Sequence, residues 1–392
     1  FRTAAKSFNF IKVDRSDIND RKSINDQAKT LFNNGWSLMV YPQGTRAKKD
    51  NFLPFKSGAF HIALDNNIPI LPVVIAGTGD IWPRGEKFMK SGKAIINTLE
   101  PIDISKYTKE TIDQLVDETY EKMSKVYKLG VIGSPIDHSL SPFIHSRFGR
   151  QENINLDYRA FKVDSDELNS FISEFFTSKS AKGLNVTLPH KKNAAAFIKN
   201  LSTEASYINA INTINNKTNK LYGHTTDGDG LLKDLYKKQI HIKNKKILII
   251  GAGAAIESVL YRIINAKPEA ISIINRTEEK ALKLQAKYLP MMSISIAADY
   301  ENYDLVINGS SAGLTGEFKP PQDDLFKNDT VFYDLNYSLT GTSFCNWAEN
   351  ISEYCYDGTG MLLAQAALSF QEWFGVLPET SKIEEELNEL SR

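Results

Sequence analysis

Cysteine is nearly absent: Cys345 and Cys355 are the two in 392 residues. Two thiols build neither a disulfide scaffold nor a four-cysteine metal site, so a reducing, cytoplasmic setting is expected. No His/Cys cluster offers ligands to a metal, and none is expected. Long apolar runs are missing too. Segments such as WSLMV (36–40) and ILPVVIAG (70–77) have the length of core strands. They fall well short of the ~18 residues that a membrane span requires. Net charge is also lacking, with 47 basic against 47 acidic residues. That balance excludes a general nucleic-acid binder, which carries a basic excess. Internal repeats and low-complexity tracts are absent. What is present is 42% hydrophobic and 24% charged residues, a composition that builds cores and excludes wholesale disorder. At roughly 100–200 residues per domain, the length suggests two to four domains.

The zero charge conceals an asymmetry. Residues 1–127 hold 19 Lys+Arg against 15 Asp+Glu, leaving 28 against 32 for the remainder. Within the first sixty residues the count is 11 against 5. A basic front suits an anionic partner or membrane surface; a solvated surface explains the same small excess.

The front segment reads as α/β. A helix is expected over Ser23–Asn33, ended by Gly35, then a short strand over Trp36–Tyr41. Ser57–Asn66 reads as a helix, Ile68–Ala76 as a buried strand interrupted by prolines, Ala94–Leu99 as a strand, and Thr111–Val126 as an amphipathic helix. A second beginning follows at Lys128–Gly133. From there strands and helices alternate, which argues for parallel-sheet α/β layers. The pattern restarts at Lys245–Ile250, the most apolar strand of the chain. These shifts divide the chain into 1–127, an α/β substrate lobe over 128–239 completed by helices of 358–392, and a Rossmann-type lobe over 240–357.

Ile247-Leu-Ile-Ile-Gly251-Ala-Gly253-Ala254 is a strand, a glycine turn and a helix start. Gly251 permits the turn, and Gly253 lets backbone approach a pyrophosphate at the helix N-terminus. Glycines in such a turn also serve packing alone. The next strand, Ala270–Ile274, ends in Asn275-Arg276-Thr277, where NAD enzymes usually place an acid for the ribose hydroxyl. Arg276 instead offers a guanidinium fork suited to a 2′-phosphate, so NADP is the expected cofactor. A third strand, Asp304–Asn308, leads to the small-residue loop Gly309–Gly313, a candidate wall for the nicotinamide half.

Three polar motifs precede the glycine turn. Gly133-Ser-Pro-Ile-Asp-His-Ser139-Leu-Ser141-Pro142 brings two hydroxyls close together; Ser141 fits an N-cap or a ligand contact. Gly183-Leu-Asn185-Val-Thr187-Leu-Pro189-His-Lys191-Lys192 puts an amide, a hydroxyl and an ammonium where a strand passes into a helix. Gly223-His-Thr-Thr226-Asp227-Gly228 is another strand end entering a helix. Open α/β sheets bind ligands at such ends.

The order of these motifs resembles shikimate dehydrogenases from about Lys128 to about Leu390. The matching pieces are GSPIDHSLSP, GLNVTLPHKK, AINT (210–213), GHTTDG, GAG, NRT, NGSSAG, FYDLNY (332–337) and DGTGMLLAQAA (357–367). The resemblance implies NADPH-dependent reduction of 3-dehydroshikimate to shikimate, on the route to aromatic amino acids. It implies Lys191 and Asp227 as the catalytic pair. It implies substrate contacts from Ser139, Ser141, Asn185, Thr187, Asn212 and Gln365, with Asp227 touching substrate as well. It assigns the cofactor to Gly251, Gly253, Ala254, Asn275, Arg276, Thr277, Asn308, Ser310, Gly358 and Met361, and carries a homodimer as a candidate assembly. The residue types make chemical sense. Reduction of a ketone builds negative charge on oxygen, which a nearby ammonium stabilises and protonates. An aspartate holds that ammonium in place, and amides and hydroxyls suit a polyhydroxylated ring.

Three positions depart from the family pattern. Thr225 stands where Asn is usual, Ile256 where a small residue is usual, and Glu257 where Arg is usual. A branched chain at 256 is expected to push the helix from the strand or crowd the cofactor. An acid at 257 is expected to repel the pyrophosphate, weakening NADP binding by ~1 kcal/mol for a partly exposed charge.

Residues 8–76 resemble the later part of 1-acylglycerol-3-phosphate acyltransferases. The pieces are Phe10-Ile-Lys-Val-Asp-Arg15, Tyr41-Pro-Gln-Gly-Thr-Arg46, Leu53-Pro-Phe-Lys56-Ser-Gly58 and Ile68-Pro-Ile-Leu-Pro-Val73. The resemblance implies a glycerol-phosphate site at Gly44, Thr45 and Arg46, with Arg15 and Lys56 near in pattern. It also implies glycerophospholipid or peripheral membrane-surface contact. Gln43 replaces the usual Glu. The family's His-x4-Asp precedes all these motifs; His61–Asp65 has the wrong spacing, and His224–Asp229 lies inside a dehydrogenase motif. With Phe1 rather than Met at the start, the segment is expected to be a truncated, inactive acyltransferase. Two other readings stay open: a bifunctional protein whose acyltransferase is completed upstream, and a non-catalytic module whose altered GAGAAIE turn no longer takes NADP.

Overall fold

The computed structural model describes residues 20–45, 52–83, 85–92, 94–300, 302–310, 312, 318–338 and 340–390. The chain divides into two compact units: residues 1–126 with 153–157, and residues 127–152 with 158–392.

In the front unit, helices Asp20–Asn33 and Gly58–Asn66 precede strand β1 (Val73–Ala76), which pairs antiparallel with β2 (Ile95–Thr98). Helix Ile112–Ser124 follows. Phe60, Ile102, Ile104, Ile112 and Leu115 form its buried core. The strand expected over Trp36–Tyr41 does not form: Trp36, Met39 and Tyr41 are all exposed. Among the described residues no neighbouring strand takes up its backbone groups, and an apolar run alone does not make a ladder.

The second unit holds two sheets. The first has strand order β4-β3-β5-β7-β8-β6, made from β3 (Tyr127–Gly133), β4 (Leu156–Lys162), β5 (Ala181–Val186), β6 (Asn200–Leu201), β7 (Thr213–Lys217) and β8 (Lys220–His224). It is mixed rather than parallel as expected. β5 and β7 are antiparallel, and β7 and β8 form a hairpin through Thr218 and Asn219, both at positive φ. The hairpin turn supplies the two positive φ values that a primed turn demands, without the Asn-Gly pair that usually announces it.

The second sheet is parallel, in the order β10-β9-β11-β12-β13. Its strands are β9 (Lys246–Ile250), β10 (Ala270–Ile274), β11 (Tyr303–Asn308), β12 (Phe326–Asp334) and β13 (Cys355–Tyr356). Ile247, Leu248 and Ile249 have no exposed surface. A strand buried on both faces is the mark of a parallel sheet covered by helices. β9 lies between β10 and β11, so chain direction across the sheet reverses at β9. Ligands of such sheets bind at that switch point.

Helices Asp227–Lys237 and Thr359–Phe374 pack against one another. Their approach depends on two glycines: a Cβ on Gly230 would lie 2.7 Å from the Cβ of Gln365, and one on Gly360 would lie 2.0 Å from Asp234. The second helix also packs on β5 and β7 of the mixed sheet. Trp373, near its end, donates from Nε1 to the Ile214 carbonyl at 3.0 Å.

Candidate active site

The carboxyl ends of β5 and β8 lead to the two helix starts that carry the charged pair. Lys191 is the first residue of helix Lys191–Phe197, and Asp227 the first of Asp227–Lys237. Lys191 Nζ donates to Asp227 Oδ2 at 2.6 Å; their side chains are 18% and 8% exposed. The lysine side chain is the more exposed of the two.

Asn212, just before β7, holds the other carboxylate oxygen. Its Nδ2 lies 2.8 Å from Asp227 Oδ1, 2.8 Å from Thr226 Oγ1 and 3.3 Å from Gln365 Oε1. An amide nitrogen has two hydrogens, so the two short contacts use them and Gln365 Oε1 keeps acceptor capacity. The Asn212 Oδ1 accepts from Thr226 N and Thr213 Oγ1. Gln365 is tied by its own backbone carbonyl, which accepts from Thr226 Oγ1 at 3.0 Å.

Asn185, at the end of β5, forms a second buried node. Its Oδ1 accepts from Tyr158 OH at 2.7 Å, and its Nδ2 donates to Ser369 Oγ and the Asn212 carbonyl. Thr187 follows, half-buried, its N–H on the Ile132 carbonyl. Ser139 and Ser141 are half-buried, and Ser139 Oγ accepts from Ser141 N. Ser141 is not the cap of its helix: Leu140 occupies that position and Ser141 opens the first turn, because Pro142 takes the second helical position. Lys191, Asp227, Asn212, Asn185 and Gln365 are thus joined in one network. Tyr158, Thr213, Thr226 and Ser369 belong to it without being among the site residues expected from sequence. Ser369 sits one turn beyond Gln365 on the same helix face, the one signal that points to it.

Behind Asn185, His145 stacks on Tyr158 at 4.3 Å with no exposed surface, and its ring nitrogens lack hydrogen-bond partners. Burial lowers its pKa to about 3. An unfolded histidine titrates near ~6.5, so stability is intact above that pH and is lost as pH falls toward the folded value. Between pH 7 and pH 5 the expected loss is about 2 kcal/mol, from 1.36 kcal/mol per pKa unit. Denaturant titrations at the two pH values check this. His145→Phe should flatten the difference, and an unchanged difference contradicts the assignment.

At the switch point, Gly251 has φ +107, and a Cβ there would meet the Ser310 backbone nitrogen at 2.9 Å. Gly253 has open space where its Cβ would be and caps helix Ala254–Asn265. Asn275 Oδ1 accepts from Ala252 N at 3.1 Å, bracing the turn. Arg276 and Thr277 are exposed at the tip of β10. This open glycine turn, a helix start and an exposed cation at the second strand fit a dinucleotide phosphate chain and a 2′-phosphate. Asn308 is tied into the fold. It has no exposed surface; its Nδ2 donates to Asp334 Oδ1, and its Oδ1 accepts from Ser310 N and Oγ. Its amide thus links the ends of β11 and β12 and braces Ser310. Gly358 donates from its N–H to the Asn336 carbonyl, and Met361 follows on the first turn of helix Thr359–Phe374.

Of the departures, Ile256 packs inward. It is fully buried, and its branch fills the space beside Gly309, where a Cβ would lie 2.4 Å from Ile256 Cδ1. Thr225 is buried beside Thr226. The Glu257 carboxylate is drawn to Lys192 Nζ at 2.5 Å. Lys192→Ala frees that carboxylate beside the turn and should weaken NADPH binding by about 1 kcal/mol, roughly fivefold. A fluorescence titration that finds no change overturns this.

In the front unit, Gly44 has φ +67, and Lys56 lies where its Cβ would point. Thr45 follows in the turn, and Arg46 and Arg15 lie outside the described residues. Among the described residues, no helix is long and apolar enough to cross a membrane, and no His/Cys/Asp/Glu group is arranged to hold a metal.

Comparison with known proteins places these features. Three family descriptions match in succession: the shikimate dehydrogenase substrate binding domain at 131–214, shikimate / quinate 5-dehydrogenase at 234–314, and the shikimate 5′-dehydrogenase C-terminal domain at 358–387. An acyltransferase family matches residues 1–76. The chain is 38% identical over 259 residues to the NADP(+) shikimate dehydrogenase of Hahella chejuensis, covering 64% of this chain and 95% of that protein. It is 39% identical over 261 residues to that of Legionella pneumophila Philadelphia 1, covering 66% and 98%. Among solved structures, shikimate dehydrogenase from Aquifex aeolicus aligns with a TM-score of 0.62 and 32% identity, covering 67% of this chain and 97% of that one. The Thermus thermophilus enzyme in complex with NADP(H) and shikimate aligns with a TM-score of 0.61 and 29% identity, covering 68% and 100%.

Proposed function

The chain belongs to the shikimate dehydrogenase family, and from that premise we propose that Lys191 and Asp227 are the pair that handles the proton in its reaction. The enzyme is an NADP-dependent oxidoreductase that reduces 3-dehydroshikimate to shikimate in aromatic biosynthesis. The single observation that carries the residue assignment is the 2.6 Å contact between Lys191 Nζ and Asp227 Oδ2, with the lysine on the open side.

Bound NADPH supplies the hydride. Arg276 and Thr277 would hold the 2′-phosphate, Gly253 and Ala254 the pyrophosphate at the helix start, and Ser310, Gly358 and Met361 the inner half. The chain's own groups do the rest. Lys191 donates a proton from Nζ to the substrate oxygen as charge grows there, and its cation stabilises that charge before transfer. Asp227, fixed by Asn212, keeps Nζ from swinging toward solvent. Gln365 Oε1 and the hydroxyls of Ser139, Ser141 and Thr187 accept and donate to the ring hydroxyls and carboxylate. A substrate lacking one of these groups leaves a site group unpaired, which is how the pocket discriminates. The test is steady-state kinetics of Lys191→Ala and Asp227→Asn; parental turnover in either overturns that residue's role.

For the front unit, the acyltransferase match and the Gly44–Thr45 turn beside Lys56 support a second, separate reading as a glycerophosphate-headgroup contact at a membrane surface. Vesicles containing an anionic lipid should retain the protein, and Lys56→Ala should weaken retention. Equal retention by both forms counts against it.

A further inference from the structure

Behind the Lys191–Asp227 pair lies a second charged group that the reaction does not use. Arg262 projects from helix Ala254–Asn265 of the cofactor lobe. Its Nε stands 2.6 Å from Glu204 Oε2, and its Nη2 donates to Asp229 Oδ2 at 2.9 Å. Glu204 is carried by helix Thr203–Ile208 of the substrate lobe, and its side chain is 7% exposed. Asp229 lies two residues after Asp227, in the first turn of the same helix. The stem of Arg262 presses on the residue between them: a Cβ on Gly228 would lie 2.5 Å from Arg262 Cγ.

We propose that Arg262 is a positioning residue, which sets Asp227, and through it Lys191, from the cofactor-lobe side. The inference rests on the Lys191–Asp227 reading. The physical argument is threefold. The guanidinium hydrogen-bonds Asp229 and pairs by charge with Glu204, carboxylates on two elements, so it links the start of the Asp227 helix to the helix that begins at the glycine turn. The arginine stem fills the space that Gly228 leaves, so it bears on the backbone next to Asp227. The cation also balances two acids close to a third. Burial, with the charges of Asp229 and Asp227 adding to it, raises Glu204 to about 7 against the pull of Arg262. Removing the cation therefore leaves carboxylates that hold protons to higher pH beside the reacting pair. The other titratable groups on this seam are Glu257 with its partner Lys192, and Tyr207, Tyr261, Lys287 and Tyr288. Lys287 is occupied by the Ile208 carbonyl at 2.9 Å. None of these reaches Asp229 in Arg262's place.

The experiment compares the full-length parent, Arg262→Gln, Arg262→Lys, Asp229→Asn and Lys191→Ala by steady-state kinetics across pH. Arg262→Gln should lower kcat by roughly tenfold or more, since small misplacements of a reacting group are costly. Its KM values should stay within about threefold, because no substrate contact is removed. The acid limb of its pH profile should move to higher pH. Arg262→Lys, which keeps the cation but not the fork, should restore the acid limb and only part of kcat. Asp229→Asn orphans no buried charge, so it folds even where Arg262→Gln does not, and it should lower kcat in the same direction by less. Parental kcat and pH profile in both Arg262→Gln and Asp229→Asn overturn the inference. So does a loss of activity that follows only the folded fraction. If Lys191→Ala is inactive while these variants are unaffected, the positioning role alone fails. If Lys191→Ala is active, the underlying pair is wrong.

Discussion

Lys191→Ala is expected to lower kcat by ~10²–10⁴, the usual contribution of a positioned proton donor. The reason is local. Nζ is the charged donor on the open side of the pair, and its loss leaves Asp227 facing the substrate with an unbalanced negative charge. KM for shikimate should change less, since Asn185, Asn212 and, through Thr226, Gln365 remain tied to one another without the lysine. Asp227 keeps its Asn212 bond, so the helix start is retained and the variant should fold. Lys191→Arg offers a useful contrast. It preserves charge, but its planar fork holds its protons too tightly to serve as an acid, so most of the loss should persist. Absorbance of NADPH under saturating substrate reports kcat directly. Parental turnover by Lys191→Ala contradicts the assignment.

The second large effect is expected at Arg276. A charge-assisted contact with a phosphate contributes about 1.5–3 kcal/mol, so Arg276→Ala should raise KM for NADPH by roughly 10- to 100-fold. NADH lacks the 2′-phosphate, and its KM should hardly move. The ratio of the two kcat/KM values is therefore the measurement of choice. An unchanged NADPH-to-NADH ratio rules out a 2′-phosphate role.

Much of this protein can be read from residues in a row. The parallel strands β9, β10 and β11 fall within a residue of where their apolar runs place them, because burial on both faces writes an uninterrupted signature. The motifs at Asn185, Lys191, Asp227 and Gly251 lie at strand ends, where neighbours in sequence are also neighbours in function. What was not legible depends on partners far apart. The β7–β8 hairpin turns on Thr218 and Asn219, neither of which marks a turn as glycine does. The exposed segment Trp36–Tyr41 carries a strand's composition, but composition cannot supply a neighbouring ladder. The structural duty of Asn308 became visible only with Asp334, which comes from the next strand. Glu204 and Arg262 meet across 58 positions of chain, and neither has a local pattern that announces the other.

The crossing of helices at Gly230 and Gly360 carries a consequence for synthesis. A ribosome emits the front unit, then the substrate lobe, then the cofactor lobe, and only afterwards the helix bearing Gln365 and Ser369. Until that helix emerges, Asn185 and Asn212 face an empty groove, and Gly230 presents a bare backbone to water. The vectorial order of translation thus leaves the earlier-made half of the catalytic apparatus incomplete until that helix has been read. A nascent chain stalled before position 359 should bind neither shikimate nor a shikimate analogue, even with every other contact residue already outside the exit tunnel.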